Sequence, residues 1–144
     1  TKGQLFSSRG KSNENEMHCG GCIFVDHCSD HVHVEFQSHL NTHETFQAKE
    51  SYELMCRDLG IIAQSFLTDN GSAFTSKEFA SELAKFRQII RFAGTGAHHH
   101  NGKAERSIQT IMSIARTMML DSAIHWLDVA DASLWPMAVQ HAVF

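Results

Sequence analysis

The chain has 144 residues, of which 42% are hydrophobic and 19% charged, and its formal net charge is −4. This length is typical of one domain with a buried core, and no apolar run approaches the roughly 20 residues that a membrane-spanning helix needs. The acidic balance weighs against a simple basic nucleic-acid-binding domain, because a surplus of lysine and arginine normally makes the phosphate contacts.

The first part of the chain predicts a polar segment followed by a β-hairpin. Residues 1–19 are expected to form a loop or a disordered arm, since they show no apolar periodicity. Residues 20–26 form a continuous apolar strand, whereas residues 31–37 alternate apolar and polar side chains. The polar break between the two segments predicts a hairpin with a half-exposed second strand.

A helix and a strand are predicted next. Asn41, with Glu44 three residues later, resembles a capping box at a helix start. Gly60 is suited to the position just after the helix end, where a left-handed backbone is common. Residues 61–67 return to the apolar composition of a strand and lead to Asp69.

The following segment predicts a second helix, a short strand and a loop. Thr75 and Glu78 form another capping-box pattern, and residues 89–92 are a short apolar strand. Residues 93–101 contain two glycines and three histidines, so we expect a loop with enough freedom to move over a substrate.

A long amphipathic helix is predicted from Gly102 to about Leu120. Its core-facing stripe recurs at helical spacing and consists of Ala104, Ile108, Ile111, Ala115 and Met118. A neighbouring polar face consists of Glu105, Gln109, Ser113 and Arg116. Residues 124–129 and 134–144 are predicted as further helical segments that pack around two tryptophans.

Two acidic residues stand at the ends of different predicted elements. Asp69 lies where an apolar strand gives way to an Asn-Gly turn, and Glu105 lies in the first turn of the long helix, with 35 residues between the two acids. A strand-end and a helix-start carboxylate can converge in an α/β fold, and hard oxygen ligands are what Mg²⁺ or Mn²⁺ requires. The hypothesis is metal-assisted phosphoryl transfer.

Two sequence blocks carry a family resemblance. TDNGSAFTSKEF at residues 68–79 is followed by GAHHHNGKAERSIQTI at residues 96–111, with ARTMML and LWPMAVQHAVF further on. This combination resembles the catalytic core of retrotransposon integrases, most closely the copia type. The similarity covers about residue 20 to the end of the chain, so residues 20–144 are expected to be an integrase core that is partial at both ends.

The resemblance implies a fold and an activity. The fold would be α/β and ribonuclease-H-like, with a mixed sheet flanked by helices and with its first strand lacking from this sequence. The activity would be DNA integration, in which two aspartates and one glutamate hold two divalent ions and a 3′-hydroxyl or water attacks a DNA phosphodiester. The implied partners are element and target DNA, and further copies of the chain that assemble through the core.

The third carboxylate has two interpretations. By pattern, Asp26 ends an apolar strand, with 42 residues between it and Asp69, and is the obvious partner. By resemblance, the first catalytic aspartate precedes residue 1, and Asp26 is an acid at the end of the hairpin. In that case the chain is an incomplete site, and an alternative is a relic that only binds nucleic acid or oligomerises.

Four residues of the long helix are candidates for DNA contact: Lys103, Arg106, Gln109 and Arg116. The competing interpretation is that they form local contacts or are solvated. A transposase or a ribonuclease H would share the implied fold, and cleavage of an RNA–DNA hybrid without strand joining would favour the latter.

The four cysteines are too few and too uneven for a disulfide framework, so a reducing compartment, nuclear or cytoplasmic, and no membrane partner are expected. The spacing of Cys19, Cys22, His27 and His31 imitates a zinc-binding run. A strand interpretation of residues 20–26 competes with it, because wrapping these residues around zinc would sacrifice the strand. The histidines at 98–100 are expected to belong to an active-site loop.

Overall fold

The computed structural model describes residues 1–5, 17–69, 71–93 and 101–143. These residues form four strands and four helices. They are, in chain order, β1 (Gly20–Val25), β2 (Val32–Gln37), α1 (Thr42–Asp58), β3 (Ser65–Thr68), α2 (Lys77–Lys85), β4 (Ile89–Phe92), α3 (Gly102–His125) and α4 (Trp135–Ala142). A 3-10 turn at Ala132–Leu134 leads into α4. The predicted α/β class is confirmed.

The strands pair in two separate sheets. β1 runs antiparallel to β2, with Ile23 opposite Val34, which confirms the predicted hairpin. β3 runs parallel to β4, with Phe66 opposite Ile90. The single mixed sheet that was expected is not found among the described residues, where each sheet has two strands.

α1 begins as its sequence predicts. The Asn41 side chain accepts a hydrogen bond of 2.8 Å from the Glu44 backbone N–H. Glu44 does not complete a capping box, because its Oε2 instead accepts from the backbone N–H groups of residues 38 and 39. Gly60, with φ +75°, follows the helix end in the left-handed conformation that glycine adopts most easily.

Two predicted boundaries are wrong. The strand expected at residues 61–67 begins only at Ser65, and Ile61 and Ile62 are 55% and 75% exposed. The cap of α2 is Ser76 rather than Thr75, since Ser76 Oγ accepts from the Phe79 N–H at 3.1 Å. In both cases composition predicted the element, but local hydrogen bonding decided where it starts.

α3 is longer than predicted and buries a narrower stripe. It continues to His125, so residues 124–129 do not form a separate helix. Ile108 and Met118, predicted to face the core, are 41% and 38% exposed. Only the middle of the helix is covered, because β1 and α4 pack against that part.

The main apolar core joins the hairpin to the two C-terminal helices. We call it the α3–α4 core, and its fully buried residues are Val34, Ile111, Ala115, Ala138 and Val139. The predicted packing segment at residues 134–144 is confirmed through Ala142 as the 3-10 turn and α4. Trp135 packs at the edge of this core, in a tilted contact with Phe36.

The first five residues, part of the predicted loop or disordered arm at residues 1–19, are held against the protein by backbone hydrogen bonds. The Gly3 N–H donates to the His18 carbonyl at 2.6 Å, and the Gln4 N–H donates to the Ser133 carbonyl at 2.8 Å. A Cβ on Gly3 would lie 2.3 Å from Pro136 Cγ, so only glycine fits this approach. Most of the remaining predicted arm lies outside the described residues.

In the described parts of the chain, no helix combines the length and the apolar character that crossing a bilayer requires.

Candidate active site

Asp69 occupies the end of β3 as the sequence predicts. It follows Thr68, the last residue of the strand, and its carboxylate is exposed. Its Oδ1 accepts a hydrogen bond of 3.0 Å from the Gly71 backbone N–H, which closes a tight turn. A Cβ on Gly71 would lie 3.0 Å from this same oxygen, so the turn is shaped around the carboxylate. The hydrogen bond to Gly71 involves only Oδ1 of Asp69 and not Oδ2.

Glu105 lies in the first turn of α3, also as predicted. The helix starts after Asn101, whose side chain makes no capping hydrogen bond. Glu105 is exposed, and a carboxylate in this position interacts favourably with the positive end of the helix dipole. The two candidate acids therefore lie at the two places that the sequence predicted.

The two acids are carried by different halves of the molecule. Asp69 is attached to the β3–β4 sheet, whereas Glu105 belongs to α3, which packs on β1 and α4. Among the residues that the structure describes, no group of three or more acidic, histidine or cysteine side chains could hold a metal ion. Residues 94–100 of the loop predicted at 93–101, including its three histidines, lie outside the described residues.

Asp26 stabilises the hairpin turn. Its Oδ2 accepts hydrogen bonds from the Ser29 hydroxyl and from the Ser29 backbone N–H, the latter at 2.7 Å. These hydrogen bonds hold the pKa of Asp26 below its usual value. The carboxylate thus has a structural role at the end of the hairpin.

Two of the four candidate DNA-contacting residues line a cleft. Lys103 and Arg106 face an open cleft of about 500 Å³ between α3, the hairpin turn and the end of α4. Lys103 Nζ lies 2.5 Å from Asp30 Oδ1 and donates to the His27 carbonyl at 2.6 Å. Arg106 Nε donates to the Gly102 carbonyl, so this arginine does form the local contact that the sequence left open.

Gln109 and Arg116 lie on another face of α3. At about 100° per residue, both fall within roughly 40° of Glu105 around the helix axis. All three side chains are exposed. The predicted polar face is therefore solvent-accessible, and it is distinct from the cleft that Lys103 and Arg106 line.

The cysteine and histidine run follows the hairpin rather than converging. Cys22 is in β1, opposite Glu35, and burial raises the pKa of its thiol to about 11. Its side chain lies against Thr45 and Gln37, whereas Cys19 is exposed. His27 and His31 are exposed residues of the turn region. The predicted strand is present, and Cys22 is one of its inward-facing residues.

Sequence reasoning missed two sets of interactions. Asp30, which holds Lys103 to the hairpin turn, has φ +62°, a conformation that aspartate tolerates better than most residues. Lys49 and Glu53 in α1 are almost fully buried and form an ion pair. Their spacing of four residues was a visible signal, but such pairs are usually found on exposed helix faces.

Comparisons with known proteins give structural neighbours only. No family model and no curated protein matches the chain. The HTLV-2 integrase catalytic core domain in complex with magnesium is similar in its dimeric form, with 24% identity, a TM-score of 0.58, and coverage of 85% of this chain and 72% of that chain. Its trimeric form gives 22% identity, a TM-score of 0.59, and coverage of 85% and 71%.

A larger assembly is also similar. The simian T-cell lymphotropic virus intasome, in complex with a PP2A regulatory subunit, matches at 17% identity with a TM-score of 0.62, over 81% of this chain and 39% of that chain. At these identities the likeness concerns the fold. The chain has the fold of an integrase catalytic core.

Proposed function

We propose that this chain is the catalytic core of a copia-type retrotransposon integrase, which joins the 3′ ends of element DNA to target DNA. The observation that carries the proposal is the likeness to integrase catalytic cores over 85% of the chain. Asp69 and Glu105 support the proposal, because Asp69 directly follows β3, Glu105 lies in the first turn of α3, and both side chains are exposed to solvent.

The two acids suit a divalent metal in their chemistry. Both offer carboxylate oxygens, the ligands that Mg²⁺ and Mn²⁺ prefer, and the Asp69 hydrogen bond to Gly71 fixes one oxygen while leaving the other available. Asp69 and Glu105 would hold the ions. When bound, divalent ions neutralise charge at a phosphodiester and lower the pKa of an attacking hydroxyl.

The remaining residues of the site would hold and orient DNA. Gln109 and Arg116, on the same exposed face as Glu105, would contact the strand that enters the site, and Lys103 and Arg106 would hold a phosphate at the neighbouring cleft. Lys103, whose side chain is 25% exposed, would exchange its ion pair with the exposed Asp30 and its hydrogen bond to the His27 carbonyl for a DNA phosphate.

Assembly through the core belongs to the same proposal. The HTLV-2 cores are described in dimeric and trimeric forms, and the simian virus protein in an intasome. We propose that this chain also acts as a homo-oligomer on DNA within the cell, in the nucleus or the cytoplasm.

Mn²⁺ titration of the purified chain tests the metal site. Asp69→Asn and Glu105→Gln should each weaken binding roughly tenfold or more, because each removes a charged ligand. Glu78→Gln is a matched control for Glu105, since both acids lie in the first turn of a helix. Asp26→Asn is a matched control for Asp69, since both carboxylates close a turn after a strand.

The four variants separate the alternatives. If Asp26→Asn weakens Mn²⁺ binding as much as Asp69→Asn, Asp26 is the third ligand. If Asp69→Asn and Glu105→Gln leave the affinity unchanged, the proposal of a catalytic metal site is wrong. In that case the chain is better described as a relic that binds nucleic acid or oligomerises, and DNA binding without metal would identify it.

A further inference from the structure

A buried charged cluster lies on the face of α1 that is turned toward β3 and β4. Lys49 and Glu53 are the charged members, with side chains 2% and 5% exposed, and Lys49 Nζ lies 2.8 Å from Glu53 Oε1. We call this group, together with the Gln88 side chain, the Lys49 cluster. Charged side chains are rarely buried to this extent unless they are paired.

Three aromatic rings surround the lysine. Lys49 Nζ lies 5.3 Å from the ring centroids of Phe46 and Phe86 and 5.5 Å from that of Phe66. The ion pair with Glu53 is close, yet within the described residues Nζ has no acceptor in hydrogen-bond geometry. The ring faces therefore supply part of the stabilisation that the buried ammonium needs.

The cluster connects α1 to the starts of both strands in the β3–β4 sheet. Glu53 Oε1 accepts a hydrogen bond from Gln88 Nε2, and Gln88 immediately precedes β4. The same Nε2 lies 3.0 Å from the carbonyl oxygen of Ala63, which stands two residues before β3. Phe66, within β3, completes the connection through the lysine.

A neighbouring side of α1 is attached to the half that carries Glu105, since Tyr52 lies only about 60° from Lys49 around the helix axis. Tyr52 stacks on Phe24 of β1, with ring centroids 4.6 Å apart and planes within 6°. Gln37 Nε2 donates to Thr45 Oγ1 at 3.4 Å, a weaker contact with β2. The hairpin in turn packs on α3 through the α3–α4 core. α1 therefore contacts both halves.

From this arrangement we infer that Lys49 and Glu53 are positioning residues, which set the orientation of β3, and so of Asp69, relative to the helix that carries Glu105. The inference rests on the proposed function, because it concerns the same two acids. A buried ion pair is a weak source of stability, and apolar residues of similar volume often replace one without loss. The directional contacts of this pair to Gln88, and through it to Ala63, fix one geometry that apolar packing leaves free.

The test measures both the Tm and the Mn²⁺ affinity of one double variant, in which apolar residues replace the ion pair. Lys49→Met combined with Glu53→Leu should change Tm by no more than about 5 °C. It should nevertheless weaken Mn²⁺ binding roughly tenfold, the loss typical when groups that orient metal ligands are removed. Lys49→Arg, which keeps the charge, should retain most of the affinity.

The control removes an exposed ion pair in the same half. Glu82→Leu combined with Lys85→Met deletes a pair whose side chains are 36% and 62% exposed, and it should leave Mn²⁺ affinity unchanged. If the buried double variant loses stability and affinity together, the cluster has only a structural role. If the buried double variant keeps both its Mn²⁺ affinity and its Tm, the inference is also wrong.

A second measurement does not depend on metal. Residual dipolar couplings of backbone amides give the angle between β3 and α3, and in the buried double variant this angle should change or average while Tm holds. An angle identical to that of the parent chain would contradict the inference. If Asp69→Asn has no effect on Mn²⁺ binding in the parent chain, the proposed function has failed, and the angle still decides whether Lys49 and Glu53 orient β3.

Discussion

Two regions of the molecule are stabilised by different kinds of contact. Around α3 and α4, five fully buried apolar residues form the α3–α4 core. Between α1 and the β3–β4 sheet, a buried ion pair, an amide and three aromatic rings make the contact. Apolar packing is tolerant of direction, whereas charges and hydrogen bonds require a defined geometry. The difference indicates that the ion pair adds orientation to a half that also buries apolar side chains, among them Ala48, Phe79 and Leu83.

The largest expected effect comes from breaking the charged contact on one side only. Glu53→Gln leaves the Lys49 ammonium buried without a counter-charge and should lower the free energy of unfolding by about 3–5 kcal/mol. Urea denaturation measures it. Glu50→Gln, an exposed acid on the same helix, should change stability by less than about 0.5 kcal/mol. Equal effects of the two variants would show that the buried contact is not special.

The apolar half is tested by making a cavity. Ile111 is 4% exposed in the α3–α4 core, and Ile111→Ala should cost about 2–5 kcal/mol in unfolding free energy. Ile108→Ala, on the same helix but at a side chain that is 41% exposed, is the matched control and should cost much less. Thermal and urea unfolding of the two variants compare them directly. A small effect at Ile111 would mean that this core is loosely packed.

A smaller effect is expected where the first residues pack on α4. Gly3→Ala places a methyl group against Pro136 and should cost about 1 kcal/mol, because the segment can detach rather than strain the core. Hydrogen exchange of the Gly3 and Gln4 amides would follow the detachment. Gly102→Ala, where a Cβ meets nothing within 4 Å, is the control and should be neutral or slightly stabilising. Protection that persists in Gly3→Ala would contradict the prediction.

The smallest effect concerns the hairpin turn and appears only in acid. Because the folded-state pKa of Asp26 is lowered, its contribution to stability is present above the ordinary aspartate pKa and is lost as the pH falls through the folded-state value. Ser29→Ala removes the hydroxyl hydrogen bond and should raise the pKa of Asp26, as a carboxyl NMR titration would measure. Ser113→Ala, exposed on α3, should leave it unchanged. An unshifted pKa in Ser29→Ala would mean that the backbone N–H alone holds the charge.

Elements whose signals are local were predicted well from the sequence. The Asn41 cap, the Gly60 stop and the pairing of the hairpin follow from neighbouring residues, because a cap or a turn involves only a few consecutive positions. The strand prediction for residues 61–64 was wrong because it also used only neighbouring residues. An apolar run predicts a strand, but only a partner strand decides which of its residues pair, and the pairing with β4 starts at Ser65.

The positions of the candidate acids were also available from the sequence, but their surroundings were not. Asp69 and Glu105 stand at the strand end and the helix start that the local patterns indicate. The local contact of Arg106, the ion pair of Lys103 with Asp30 and the turn role of Asp26 depend on atoms brought together by folding. The local sequence pattern predicts where a residue lies along a helix or strand. Its hydrogen bonds and ion pairs depend on which other residues the fold brings close to it.

The sequence by itself determined the order and type of most helices and strands, the positions of Asp69 at a strand end and Glu105 at a helix start, and the resemblance to an integrase core. These properties depend on propensity and on spacing over a few residues. The tertiary structure alone decided that Lys49 and Glu53 are buried between α1 and the β3–β4 sheet. Burial depends on what packs against a side chain, and the aromatic rings that enclose Lys49 come from three elements separated by up to 40 residues of chain.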